Sequence, residues 1–359
     1  FRYGGQCRQD QGEVTCCHAG GLRRGRAQAP GQLSAGELTP EQLSDLSDAL
    51  PPFPAPAADV PGMTDFCHFY HLDFDERYRG VEHSAGTLTS GPYRLVVHRW
   101  RRPEAQGTLL LVHGYTDHSG LFGKLVDYGL SRGFSVLIFD LPGHGLSSGE
   151  PAAIDEFAAY GRAVAGVVSR AIPGGGPLWV MAQSTGCAAL VEFSRIHPWP
   201  FRAVVLLAPL VRPVSWTRIR LGHTLLRHFT ESVRRAFSEN SSDARFLAFL
   251  RRDPLQPQHL SLRWVSALRR WLQALPEEDL GVGSALVVQG DRDGTVDWRY
   301  NINVIVRLFP GSRVEYVAGG GHHLANESAE LRERYYQSLD DYLSTRGLNP
   351  VLSDSNPPG

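Results

Sequence analysis

The chain of 359 residues holds a single lysine, Lys124, only two methionines and five cysteines. Each scarcity excludes something. Cys7, Cys16, Cys17, Cys67 and Cys187 are odd in number and share no repeated spacing, so neither a disulfide framework nor a CxxC zinc site is indicated. Cys16, Cys17 and His18 lack a second Cys/His pair at ligand spacing and do not make a metal centre. No window reaches the roughly 18 continuous apolar residues of a membrane span, and the N-terminal stretch has no apolar secretory core. These absences predict a cytoplasmic protein with no transmembrane segment. Charge of one sign is also missing: the formal net charge is −1, which leaves no surplus of cations for nucleic-acid phosphates. What remains, 20% charged and 42% hydrophobic, suits a soluble globular enzyme of one large or two modest domains, its oligomeric state open. The preference for Arg, with abundant Ala, Gly and Pro, reads as genome base composition.

Residues 1–60 are rich in Gly, Arg, Gln and Pro, which predicts a mostly disordered N-terminal extension. Within it one short helix is expected from Thr39 to Leu50, Thr39 capping and Pro40 at the first helical position. From Thr64 to Trp100 the pattern reads as alternating strands, with Phe66, His68 and Tyr70 on one face and Tyr93 to Trp100 following the turn at Ser90, Gly91 and Pro92. In that reading Cys67 and His71 share a face that His68 does not, so these residues, beside Asp73 and Asp75, are strand side chains and not a metal site. Six apolar runs then have the length of strands buried on both faces: Thr108–Val112, Phe134–Phe139, Leu178–Met181, Ala203–Leu207, Ala285–Val288 and Arg313–Val317. Helical patterns separate them. The expected fold class is α/β, a mainly parallel sheet flanked by helices, with its site beyond the carboxyl ends of the strands. Residues 61–210 and 284–346 form this core, and 347–359 a tail. Between them residues 211–283 run helical, with no strand, as a cap after the sixth strand; they are rich in Arg and carry Trp216, Trp264 and Trp271.

The run from Leu178 to Val191 turns from strand to helix at Ser184, with Ala182 and Gly186 two residues to either side. A strand that reverses sharply into a helix needs small residues at those positions, and the pattern is that of a nucleophile elbow. Ser184 then projects from a strained turn, and the Thr185 N–H points where an oxyanion would form. Three more loops fall at strand ends. Gly114 lets the backbone approach a ligand, so the Tyr115 N–H is the expected second oxyanion donor, with His113 a structural support beneath the loop. Beyond the strand Ala285–Val288, Asp291, Asp293 and Asp297 compete as the carboxylate that orients an imidazole; Asp293, three residues past the tight turn at Gly290, sits at the loop tip. Finally, a glycine-rich loop offers His322 or His323 as the base for Ser184.

With these residues, the sequence from Thr64 to Arg346 resembles the α/β-hydrolase superfamily, in the branch of monoacylglycerol lipases, lysophospholipases and serine aminopeptidase-like hydrolases. His113, Gly114, Asp117 and His118 are similar to its HGxxEH loop, and Asp140 to Gly149 to its DxPGHGxSxG segment. Gly290 to Asp293 matches its GxxD motif, and His322 to Glu327 its HxxxNE-like motif, which favours His322 over His323. The elbow departs slightly, with Ala182 where most members have glycine, and Cys187 stands where a second glycine is common, as a buried packing residue.

The resemblance implies a serine hydrolase with Ser184, Asp293 and His322 as catalytic residues, Tyr115 and Thr185 as oxyanion donors, and no metal or organic cofactor. Its expected partner is a small-molecule ester, with lipids such as monoacylglycerols or lysophospholipids foremost. A proline-releasing aminopeptidase is the nearest rival and needs Glu231, Glu239, Asp243 or residues 277–279 in the pocket to hold an amine. A non-catalytic binding protein of the same fold is the other; the intact Ser184, Asp293 and His322 speak against it.

Overall fold

The computed structural model describes residues 37–172 and 176–348. Its first element, helix α1 (Pro40–Ala49), starts at a full capping box: the Thr39 hydroxyl accepts from the Gln42 N–H while the Gln42 side chain accepts from the Thr39 N–H. Leu43 and Leu46 turn inward, and Arg94 holds the helix through the carbonyl and hydroxyl of Ser47. Leu50, Phe53, Ala57 and Val60 are buried after it, and strand β1 (Ala55–Pro56) joins the main sheet. Residues 37–60 therefore belong to the packed body and are not a disordered extension: proline-rich composition misled because the prolines space single buried anchors. Residues 1–36 lie outside the described residues.

A second correction concerns Met63–Tyr70, which is helix α2, not a strand. Met63, Phe66, Cys67 and Tyr70 are buried at the three- and four-residue spacing of one helical face, between left-handed residues Gly62 and His71. Cys67 packs toward His83, whereas His68 is exposed and pairs with Asp73. A short helix α3 (Phe74–Arg77) leads into the hairpin of β2 (Glu82–Ser90) and β3 (Tyr93–Arg101), the antiparallel entry to the sheet.

From there strands and helices alternate: β4 (Thr108–Val112), α4 (Gly123–Ser131), β5 (Ser135–Phe139), α5 (Ala158–Ala171), β6 (Leu178–Gln183), α6 (Thr185–Ile196) and β7 (Phe201–Leu207). After an insertion, β10 (Leu286–Gly290), α10 (Trp298–Leu308), β11 (Arg313–Val317) and α11 (Ala329–Ser344) complete the chain. The nine-stranded sheet runs β1-β2-β3-β5-β4-β6-β7-β10-β11, parallel from β5 to β11. Its period of two sends Leu109 and Leu111 into the layer of α1, α2, α4 and α11, and Leu110 and Val112 into that of α5, α6 and α10.

The insertion holds α7 (Trp216–Leu226), α8 (Ala244–Leu250) and α9 (Leu262–Gln273). It is not purely helical, because β8 (Ser232–Arg234) and β9 (His259–Ser261) pair as an antiparallel ribbon too short to leave an alternating signal. It follows the seventh strand in chain order, β1 being the addition. Its anchors to the core are polar and buried: the Asp253 carboxylate accepts from His118 and from the Tyr70 hydroxyl, and the Trp271 indole donates to Glu192.

Leu46, 2% exposed, tests the packing of the N-terminal helix. Leu46→Ala is expected to destabilise the protein by about 3 kcal/mol, read as a lower denaturant midpoint at constant slope. An unchanged midpoint would mean that α1 hangs loose.

Candidate active site

Strand β6 reverses into α6 at Ser184, whose backbone sits at φ 52° and ψ −113°, outside the regions that L-residues favour. The cause is local. A Cβ on Gly186 would stand 2.4 Å from the Val112 carbonyl oxygen, so α6 descends onto β4 only because that residue is glycine. The strained turn is held by Ser184 N–H donating to Leu207 O and by Leu210 N–H donating to Ser184 O. Cys187 is fully buried behind it, its thiol against Ala182 O, and burial pushes its pKa far up, so it is a packing residue.

The loops after β10 and β11 bring two side chains to this serine. His322 Nε2 lies 3.0 Å from Ser184 Oγ, and His322 Nδ1 lies 2.8 Å from Asp293 Oδ2. The pairing assigns the tautomer: Nδ1–H donates to the carboxylate, which leaves Nε2 to accept from the serine hydroxyl. Asp293 is saturated with donors, its other oxygen taking the N–H groups of Thr295 and Val296, and Gln289 joining His322 on Oδ2. Burial alone would raise the Asp293 pKa; the facing imidazole and these donors outweigh it and hold it below the ordinary carboxylate value. For His322 burial opposes charge, but Asp293, and then Asp117, win and raise its pKa above the ordinary histidine value.

The competing residues lie elsewhere. Asp291 is exposed and accepts from Gly319 N–H, Asp297 pairs with Arg212, and His323 faces Asp117 at 3.1 Å. His113 accepts the Leu141 N–H on Nε2 and donates from Nδ1 to Gly114 O, a neutral bracket beneath the loop. Gly114 lies so close that a Cβ there would be 3.2 Å from Ser184 Cβ, which brings the next residue, Tyr115, to the serine's side. Among the described residues, neither the Tyr115 nor the Thr185 amide donates to a protein acceptor.

Two contributors were not singled out by the sequence. Gln289 positions Asp293, and the buried Glu327 carboxylate accepts from Gly321 N–H at 2.6 Å and from the N–H of Ser242 in the insertion at 2.8 Å, so it clamps the histidine loop from both sides. Glu327 stood in the sequence as part of a motif, without that task.

Ser184, Thr185, Tyr115 and His322 open into a cavity of about 440 Å³ between sheet and insertion. Its walls are mostly apolar, with Trp216, Ile219, Leu226, Trp264, Val265 and Leu268 from the insertion. Trp264 stacks on the Tyr115 ring, 4.0 Å between centroids. Trp271, grouped with these tryptophans by sequence, instead stacks on Phe157 outside the cavity. Among the described residues the single carboxylate in the lining is Asp117, already engaged by His323; Glu231, Glu239, Glu277, Glu278 and Asp279 are exposed, and Asp243 pairs with Lys124 elsewhere.

Comparison with known proteins speaks to the family and the fold. A family model, Hydrolase_4, described as serine aminopeptidase, S33, matches residues 103–329. A monoglyceride lipase homolog of Monkeypox virus is 24% identical over 249 residues, 66% of this chain and 89% of its own. The monoacylglycerol lipase of Paleococcus ferrophilus superposes with a TM-score of 0.61 at 19% identity, covering 70% of this chain and 99% of that one. A soluble variant of the Saccharomyces cerevisiae monoglyceride lipase, solved with a substrate analog, gives 0.62 at 18% identity, over 73% and 94%. At such identities the two structures speak to the fold.

The electrostatics of His322 are measurable without a substrate. Its imidazole is expected to lose its proton above the ordinary value of about 6.5. Asp293→Asn removes the charge that holds the proton and keeps the burial that expels it, so the titration of His322 followed by NMR should move to lower pH. An unmoved titration would show that Asp293 does not set it.

Proposed function

Because the chain belongs to the serine aminopeptidase S33 family of α/β-hydrolases, we propose that it is a serine esterase acting on lipophilic acyl esters, monoacylglycerols or lysophospholipids among them, through an acyl-enzyme on Ser184. The observation that carries this reading is the Ser184–His322–Asp293 relay opening into an apolar cavity that offers no free carboxylate. His322 Nε2 takes the Ser184 proton as the oxygen attacks the ester carbonyl. The imidazolium is stabilised by Asp293, and the Tyr115 and Thr185 N–H groups receive the oxyanion. His322 then protonates the leaving alcohol, and a water molecule, deprotonated by the same nitrogen, releases the acid.

Lipophilic substrates are favoured by the cap's inner wall and by its outer flank. α7 lines the cavity through Trp216, Ile219 and Leu226, and leaves Leu221 and Leu225 more than half exposed. The rival amide reading lacks support, since an aminopeptidase needs a carboxylate for the free amine and the cavity's one carboxylate is spoken for by His323.

Hydrolysis of p-nitrophenyl esters of increasing acyl length, beside an aminoacyl p-nitroanilide, tests the proposal. Esters of medium or long chains should be cleaved and the anilide left intact, with Ser184→Ala lowering kcat by about 10⁴-fold or more. Anilide cleavage without ester cleavage would replace the esterase by an aminopeptidase, and ester turnover that survives Ser184→Ala would remove Ser184 as nucleophile.

A further inference from the structure

One cation stands in the cavity wall. Arg235, just past β8, is half-buried among the lining residues, and among the described residues no carboxylate comes within ion-pair distance of it. Its nearest acidic neighbours are occupied: Asp117 by His323, and Asp253 by His118, the Tyr70 hydroxyl and Gln256. The guanidinium is nevertheless held in place. Arg235 Nη1 donates to Gln256 Oε1 at 2.7 Å, Gln256 Nε2 donates to Asp253, and the Arg235 N–H donates to Gln258 O across the ribbon. Burial pulls its pKa down, opposed by Asp117, Tyr115 and Asp253, which marks a cation partly stripped of water. The guanidinium also lies over the Phe237 ring, 4.6 Å from its centroid, and a cation so positioned in a mostly apolar cavity, with no carboxylate of its own among the described residues, favours an anionic ligand.

Its end of the cavity can be identified. In the esterase cycle His322 hands its proton to the leaving alcohol, so the alcohol half lies on the side of the histidine loop. Arg235 opens the segment that leads to that loop: Ser238 and Asn240 also line the cavity, and the carbonyl of Asn240 accepts the His323 N–H at 2.8 Å. Leu210, Pro213, Val265, Leu268 and Val296 supply uncharged lining that suits the acyl chain.

We propose that Arg235 is a cationic subsite for the alcohol half of the substrate, and that the ester turned over here carries a phosphate on that half. The proposal rests on the esterase reading and narrows it from acyl esters in general to anionic lysophospholipids. A planar guanidinium with free donors matches phosphate oxygens, and the low-polarity surroundings strengthen the pair.

The test compares kcat/KM for a 1-acylglycerol 3-phosphate and for the monoacylglycerol of the same chain, each in monomeric form, in the parent, Arg235→Gln and Arg235→Lys. The parent is expected to prefer the phosphate ester, and Arg235→Gln to lower the phosphate-to-neutral ratio by about 10- to 100-fold, through KM for the phosphate ester. Arg235→Lys should restore part of that ratio, which a merely structural arginine would not. A ratio that stays put in Arg235→Gln while both esters are cleaved overturns the subsite and leaves the esterase standing. A second pair, p-nitrophenyl succinate half-ester against p-nitrophenyl butyrate, places the anion on the acyl half; a preference there that Arg235→Gln abolishes would put Arg235 at the wrong end and also overturn the proposal. If neither glycerol ester nor any p-nitrophenyl ester is cleaved, the esterase reading falls first and the subsite with it.

Discussion

Around the carbonyl oxygen of Val112 there is room for a glycine and for nothing larger, and the centre of the molecule is arranged by that crowding. α6 reaches down to β4 only through Gly186, and the approach drives Ser184 into a backbone conformation that costs on the order of 1–3 kcal/mol. The strain persists because neighbouring strands over-determine it. β7 takes the Ser184 N–H through Leu207 O, Leu210 returns a bond to Ser184 O, and Cys187 fills the space behind. The parallel sheet thus serves as the vice in which a reactive hydroxyl is held clear of its own helix.

Two adjacent histidines on one loop illustrate how partners, not positions, assign roles. His322 and His323 stand side by side, yet each ring finds a different carboxylate, Asp293 for the first and Asp117 for the second. Only His322 retains a nitrogen for Ser184. The second pair is not idle, since it fixes the loop from below while the His323 N–H ties it to Asn240 of the insertion and Glu327 clamps Gly321. Every carboxylate buried around the site, Asp117, Asp253, Asp293 and Glu327, has its donors, as low dielectric demands.

Much of this could be read from the residues. The six strands, the helices between them and the elbow follow from local pattern, because covered strands are continuous apolar runs and turning points need small side chains; only β11, expected to be buried on both faces, differs, since it lies at the sheet edge with Arg313 and Tyr316 exposed. The residues singled out for the site lie at strand ends, where loop chemistry is also local. What escaped the sequence is of two kinds. Met63–Tyr70 satisfies both periods over a short window, Phe66 and Tyr70 fitting a strand as well as a helix face, and only the burial of Met63 and Cys67 decides. Glu327, Arg235 and the His118–Asp253 pair act across tens to more than a hundred residues, with partners that no spacing rule connects, and Gln289, though only four residues from Asp293, belongs to no motif.

The insertion is fastened unevenly, and the unevenness has a mechanical meaning. Its α8–α9 half is tied to the core by the buried Asp253, by the buried Trp271 on Glu192 and by Ser242 on the buried Glu327. α7 buries only His223, which bonds Ser266 on α9, and continues to Phe229, 87% exposed. Opening free energy follows buried contact, so α7 is the part of the wall that parts from the cavity most cheaply. The same helix supplies Trp216, Ile219 and Leu226 to the apolar lining. On the proposed esterase reading, a lipophilic chain that enters beside α7 would exchange water-exposed leucines for apolar walls along its path, while Arg235 stays on the firmly anchored part of the insertion through Gln256 and Asp253.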